Sequence, residues 1–311
     1  MTTAFVLSGG GSLGAIQVGM LQALAARGIE PDVLVGTSAG ALNSAYVAGH
    51  GVGPASLDAL ENLWTKLHRR DVFPLQPLRV GAAAFGRTSS LCDDGHLRAL
   101  IRRNLRFQLL EDSPTPVKVI ATDVRTGQEV VLDQGNAVDA VMASAAIPAV
   151  FPAVHIDGRD LIDGGIADNA AISQAIASGA DLVYVLPTGY ACALDTPPAS
   201  PLSSAVQALT LLIEQRLIFE VRHLADQADI RVVPPLCPLS GSSADFRHGA
   251  ELVRRALTST NGWLDGAVPP PAHRERVLSL HGHQAAAKPT HTPLRFRMGS
   301  LRQRAIATLG G

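Results

Sequence analysis

Short apolar blocks alternate along this chain with longer stretches of helical periodicity. Ala4 to Ser8 is a compact apolar run of the kind that forms a buried strand, and it breaks into Gly9-Gly10-Gly11 before a helical pattern from about Ser12 to Ala26. After Gly28, Val33-Leu34-Val35-Gly36 gives a second strand, and Ser38 to Gly49 gives a second helix rich in small residues. Further strands are predicted at Val117 to Val124, Val130 to Leu132, Asp181 to Leu186 and Ile230 to Val233. Helical patterns at Asn136 to Ala145, Ala171 to Ser178 and Ser203 to Asp226 lie between them. This alternation predicts an α/β fold with a mainly parallel sheet covered on both faces. Pro187 to Pro201 reads as a loop and Val268 to Pro271 as a proline stop, and the residues beyond it have no sustained period. The expectation is one domain over residues 1–267 and a tail over 268–311.

Composition supports a globular chain: of 311 residues, 47% are hydrophobic and 17% charged, ample for a core. A net charge of -1 gives no reason to expect nucleic acid as a partner, because phosphate binding needs a clustered basic surface. The charge is unevenly spread. From His273 onward, Arg274, Arg276, Lys288, Arg295, Arg297, Arg302 and Arg304 face the single acid Glu275. Such a tail can tether a protein to anionic lipid at about 1 kcal/mol per basic residue. Pro289, Pro293 and Gly299 interrupt any amphipathic helix there and favour a solvated extension.

Cys92, Cys192 and Cys237 are too few and too far apart for a disulfide framework or a zinc site. His281 and His283 lack the Cys or carboxylate partners a metal would need. The N-terminus has no basic region ahead of a long apolar run, so no signal peptide is expected. No apolar run approaches the ~20 residues of a membrane span. These features predict a cytoplasmic protein, with peripheral contact to an anionic membrane as the remaining option. Oligomeric state has no signature in the pattern.

Candidate chemistry begins at Gly36-Thr37-Ser38-Ala39-Gly40, a G-x-S-x-G directly after a strand and before a helix, the context of a nucleophile elbow. Gly36 and Gly40 let the backbone turn sharply, and the helix behind Ser38 favours developing negative charge. A serine that merely caps a helix fits the pentapeptide equally well. Gly9-Gly10-Gly11-Ser12-Leu13-Gly14 adds weight, because bare N–H groups at a strand-to-helix turn can point at an oxyanion. The same six residues match G-x-G-x-x-G for a dinucleotide. That reading needs an acid after the second strand, where Thr37-Ser38 stands instead; Glu30 and Asp32 both precede it.

The best-placed base is Asp163, following Leu161-Ile162 and leading into Gly164-Gly165. To accept a serine proton it requires burial that raises its pKa. Asp157, Asp160 and Asp168 are competitors, the first two read as turn residues in Asp157-Gly158-Arg159-Asp160. Asp123 ends a strand and is taken as structural, and Ser144 lacks the flanking glycines of an elbow.

Together, in this order, these motifs resemble the patatin-like phospholipase family. The resemblance continues through Ala121-Thr122-Asp123, Ser144-Ala145-Ala146-Ile147-Pro148 and Asp163-Gly164-Gly165-Ile166-Ala167-Asp168-Asn169, covering roughly Ala4 to Leu186. It implies a three-layer α/β/α sandwich and a lipid acyl hydrolase whose Ser and Asp dyad works without histidine. By that resemblance Ser38 is the nucleophile, Asp163 activates it, and Gly9, Gly10 and Gly11 line the oxyanion hole; the substrate is a lipid or other ester, and no metal or organic cofactor is implied. Two departures stand out. Leu13 replaces the usual Arg or Lys, removing a positive charge near the site, and Ala170-Ala171 replace a commonly proline-containing stretch.

Two rival readings remain. A Ser, His and Asp triad of the α/β-hydrolase type can use His223 or His248 after Asp163, but its elbow normally comes after several strands, whereas Ser38 follows the second. A non-catalytic, lipid-binding member of the same fold would be expected to have eroded one of Ser38, Asp163 or the glycine loop. Apolar helical patterns at Leu57 to Leu67 and Leu202 to Leu217 fit an acyl channel or plain core packing.

Overall fold

The structure, a computed structural model, describes residues 1–74, 88, 90–188, 201–237, 239 and 243–266. The basic tail, the 267/268 boundary, Cys192, His281, His283 and most of the Pro187 to Pro201 loop lie outside them.

The strands are β1 (Thr3–Leu7), β2 (Val33–Thr37), β3 (Val117–Asp123), β4 (Glu129–Leu132), β5 (Val154–Ile156), β6 (Arg159–Asp163), β7 (Leu182–Leu186) and β8 (Asp229–Val232). They form one sheet in the order β5-β6-β3-β2-β1-β7-β8, with β4 beside β3. From β3 to β8 that order is parallel throughout, while β4, β5 and β6 pair antiparallel. The predicted mainly parallel sheet is therefore its centre, and an antiparallel margin carries Asp163.

The helices are α1 (Gly14–Ala25), α2 (Ala39–His50), α3 (Pro54–Lys66), α4 (Arg69–Val72), α5 (Gly95–Asn104), α6 (Ala137–Ser144), α7 (Ile172–Ala177), α8 (Pro201–His223) and α9 (Gly249–Leu264). They cover both faces, giving the three-layer α/β/α sandwich. The period of two along each strand sorts side chains between the two cores. Phe5, Leu7, Leu34 and Tyr184 enter one core with α1, α2, α3 and α9, while Ala4, Val6, Val35 and Val183 enter the other with α7 and the C-terminal half of α8. Both faces of the central strands are buried, so these strands read as continuous apolar runs.

Not anticipated were α4, α5, α9 and the β5–β6 hairpin. α9 is amphipathic and buries Leu252, Val253 and Ala256. The hairpin turns at Asp157 and Gly158, both with positive φ (48° and 76°), which suits an Asp-Gly pair in a tight turn. Asp157 is thus the turn residue expected, but Asp160 lies on β6, where it pairs with His155 at 3.0 Å.

The register around β3 positions the site. Thr37 lies beside Ile120, and Asp163 lies beside Ala121. β4 occupies the opposite edge of β3, beside Val119 to Thr122. Hence β2 and β6 share one edge of β3 and run toward each other, ending opposite consecutive residues.

Candidate active site

Ser38 sits in the turn between β2 and α2 with φ 55° and ψ -119°, a strained region for a residue with a Cβ. The turn needs glycine at its far side: a Cβ on Gly40 would lie 2.0 Å from the Leu7 carbonyl oxygen. The Ser38 carbonyl accepts from Ala41 N–H and Leu42 N–H at 3.0 and 3.2 Å, so α2 starts directly behind it. Its own N–H donates to Ser144 Oγ at 2.8 Å. Ser144, which carried no elbow signal in the sequence, is fully buried and braces the turn.

Ser38 Oγ donates to Asp163 Oδ2 at 2.7 Å. The other oxygen of Asp163 accepts from Gly165 N–H at 2.8 Å. Both side chains are nearly buried, at 6% and 8% exposure. Burial pushes the Asp163 carboxyl up to about 6, with the hydrogen bonds from Ser38 and Gly165 opposing. Burial disfavours the charged form, so a raised carboxylate is a better proton acceptor than a solvated one.

The competing acids are engaged elsewhere. Asp168 accepts from Ala170 N–H at 3.0 Å and pairs with Arg216 at 3.2 Å. Asp123 closes the β3–β4 turn by accepting from Arg125 and Thr126 N–H. Support under the site comes one residue earlier: Thr122 Oγ1 donates to the Asp163 carbonyl at 2.9 Å and accepts from Ala167 N–H at 3.2 Å.

The glycine loop follows β1 and faces Ser38. Asn169 holds its first residue, accepting from Gly9 N–H through Oδ1 at 3.1 Å and donating from Nδ2 to the Gly9 carbonyl at 3.4 Å. Thr188 Oγ1 donates to the same carbonyl. Ser12 and Leu13 N–H groups donate to Ser243 and Gly10 carbonyls. Among the described residues none accepts from the N–H of Gly10 or Gly11. Behind the loop runs a buried polar chain that sequence reading missed. Trp64 Nε1 donates to Asn43 Oδ1 at 2.8 Å, Asn43 Nδ2 to Gln17 Oε1 at 2.8 Å and to the Gly14 carbonyl at 3.0 Å, and Gln17 Nε2 to the Ser8 carbonyl at 2.8 Å. Gln17 and Asn43 are fully buried, and satisfying every member of such a chain fixes the loop's position.

Two cavities meet at Ser38. One, about 50 Å³, is small and apolar, lined by Leu42, Trp64, Phe73, Ile101, Val141 and Phe246 among others. The other, about 450 Å³, also reaches Asp163, the glycine loop, Asn169, Arg69 and the α8 residues Ile213, Glu214 and Leu217. The helical patterns at Leu57 to Leu67 and Leu202 to Leu217 thus both contribute walls, through Trp64 and Leu67 and through Ile213 and Leu217. Among the described residues, no histidine lines either cavity. His223 stacks on Phe219 with ring centroids 5.3 Å apart, and His248 lies near Asp245 and Glu251.

A serine hydroxyl bonded to a buried carboxylate, between an apolar cavity and backbone N–H groups without a partner among the described residues, is an arrangement suited to nucleophilic attack on a carbonyl. The chain belongs to the patatin-like phospholipase family: the family model "Patatin-like phospholipase" matches residues 5–176. An uncharacterised NTE-family protein of Mycobacterium tuberculosis is 28% identical over 229 residues, spanning 73% of this chain and 59% of that protein. The chain therefore covers little more than half the length of that relative. The protein named lysophospholipase NTE1 of Mycosarcoma maydis is 26% identical over 196 residues, 61% of this chain and 10% of that one. Among solved structures, human GIVD cytosolic phospholipase A2 in complex with methyl γ-linolenyl fluorophosphonate superposes with a TM-score of 0.41 at 11% identity, covering 89% of this chain and 58% of that chain. Among the described residues, no helix is long and apolar enough to cross a membrane.

Proposed function

We propose that this protein is a lipid acyl hydrolase that cleaves carboxylic esters through Ser38 and Asp163 by way of an acyl-enzyme. The carrying observation is the 2.7 Å hydrogen bond from Ser38 Oγ to a buried Asp163 carboxylate. Asp163 takes the Ser38 proton as Oγ attacks the ester carbonyl, and then gives it to the departing alcohol. Water attacks the acyl-serine in the second half, Asp163 receiving its proton and returning it to Ser38 Oγ as the fatty acid leaves. The oxyanion is held by Gly10 and Gly11 N–H, the open donors of the loop; Gly9 serves the hole by its bond to Asn169 rather than as a donor. Gly36 and Gly40 shape the elbow, Gly14 opens α1, Gly165 N–H holds the Asp163 carboxylate, and Gly164 lets the turn pack against the Ile120 carbonyl.

The small apolar cavity suits the first carbons of an acyl chain, and the wider one the alcohol. Names of relatives such as the Mycosarcoma maydis lysophospholipase agree with a lysolipid or phospholipid ester. Residues 1–267 are the unit assigned to this chemistry. The test is labelling by a fluorophosphonate, mapped by mass spectrometry, alongside hydrolysis of short and long chromogenic esters. An adduct on Ser38, with labelling and turnover both absent in Ser38→Ala, supports the reading. A folded protein that neither labels nor turns over any ester refutes it in favour of a non-catalytic lipid-binding member.

A further inference from the structure

The wider cavity holds a second acid that ester cleavage leaves unused. Glu214 lies on α8 between Ile213 and Leu217, which line the same wall, and is 8% exposed. Among the described residues its Oε2, which is buried, has no hydrogen-bond partner. Native structures rarely leave such an atom unsatisfied, because a buried carboxyl without a partner is destabilising. The other buried acid on the helix shows the ordinary solution: Glu220 pairs with Arg216 at 3.1 Å and accepts from Ile172 N–H at 3.3 Å. Arg216 is committed to Glu220 and Asp168, so it leaves Glu214 alone. Burial pushes the Glu214 carboxyl up to about 7, the shift of an acid with no cation beside it. Of the other charged residues on the cavity wall, Asp163 is engaged with Ser38 and Gly165, and Arg69 is exposed. Leu13 adds apolar surface to that wall.

We infer that Glu214 is the recognition point for the alcohol side of the ester, and that the group it takes is an ammonium. A hydroxyl would satisfy the unpartnered carboxyl, whereas an ammonium satisfies it and also neutralises its buried negative charge, so the cation gains more. The inference rests on the proposed ester site for its meaning, but ligand binding tests it without turnover. The protein is the full chain carrying Ser38→Ala. Affinities for decylammonium, 1-O-decylglycerol and decyl sulfate, each kept monomeric, are measured by titration calorimetry. Decylammonium is expected to bind about tenfold or more tightly than the glycerol ether, as a charge-assisted hydrogen bond in a partly dry site requires. Adding Glu214→Gln is expected to erase that difference; Asp163 remains in both proteins, so the change reports on Glu214. Should the Gln variant fail to fold by thermal melting, Glu214→Met serves the same comparison. Equal affinities, preference for the glycerol ether or the sulfate, or an ammonium preference that survives loss of Glu214 would overturn the inference. Ammonium preference in a protein inactive on every ester leaves this inference standing and removes the hydrolase reading; turnover without ammonium preference does the reverse.

Discussion

Ser38 follows and Asp163 ends two strands that approach each other along the same edge of β3. Their neighbours on that strand are consecutive: Thr37, the residue before the serine, lies beside Ile120, and Asp163 lies beside Ala121. The 2.7 Å bond between the two side chains is therefore set by sheet register across 125 residues of sequence. A one-residue slip of β6 would turn Asp163 to the opposite face. Rigid elements hold the pair, and neither partner depends on a mobile loop for its placement.

Activity should follow the ionisation of Asp163. Its carboxyl is raised to about 6 by burial, and only the ionised form accepts the serine proton, so kcat/KM should climb as pH rises through about 6 and then level off. Stability should move the opposite way. The folded state binds a proton that the unfolded chain has already released, so stability falls between about pH 4 and pH 7, by about 3 kcal/mol. Asp163→Asn removes that dependence. Its melting temperature should exceed that of the parent at neutral pH by more than it does near pH 4, as measured by thermal unfolding across that range.

Ser144→Ala should weaken both fold and chemistry. It strands the Ser38 N–H in a fully buried place, a loss of about 1–3 kcal/mol for an unsatisfied donor. It also releases the strained elbow, so kcat should fall about tenfold or more with KM little changed. Denaturant unfolding and steady-state kinetics on a soluble ester check the two effects separately. An elbow that needs no brace would leave kcat untouched.

Selectivity for the acyl group should be held in the small apolar cavity. Ala145 lines it beside Ser38 and Ile147, so Ala145→Leu extends a side chain into the space assigned to the acyl group. The ratio of kcat/KM for a decanoyl ester to that for an acetyl ester should drop about tenfold, the scale on which apolar pockets discriminate by one or two methylenes. A ratio unchanged by this variant would place the acyl chain in the wider cavity.

What the sequence made legible was the part built from local rules. An apolar run followed by Gly36-Thr37-Ser38-Ala39-Gly40 has few local solutions, and the observed β2 and α2 fall within a residue of the expected bounds. Asp163 was found because Leu161-Ile162 and two glycines frame it. What stayed hidden depends on distant contacts. Val154–Ile156 is a three-residue strand, too short for a period. Ser144 reads as one more residue of a small-residue helix until β2 is placed against it. The chain Trp64–Asn43–Gln17 had a visible trace, since Gln17 and Asn43 are polar residues in otherwise apolar helices, but only packing shows that they meet. Glu214 left the same trace, a lone acid between Ile213 and Leu217.

The most direct test of the central claim compares kcat/KM for one chromogenic ester in the parent, Asp163→Asn, His223→Ala and His248→Ala at a pH near 8. Asp163→Asn is expected to lose about a thousandfold, the scale of a missing general base, while both histidine variants stay within about twofold of the parent, as exposed substitutions away from a site do. Near-parental activity in Asp163→Asn, or its loss in either histidine variant, would contradict a Ser38–Asp163 dyad.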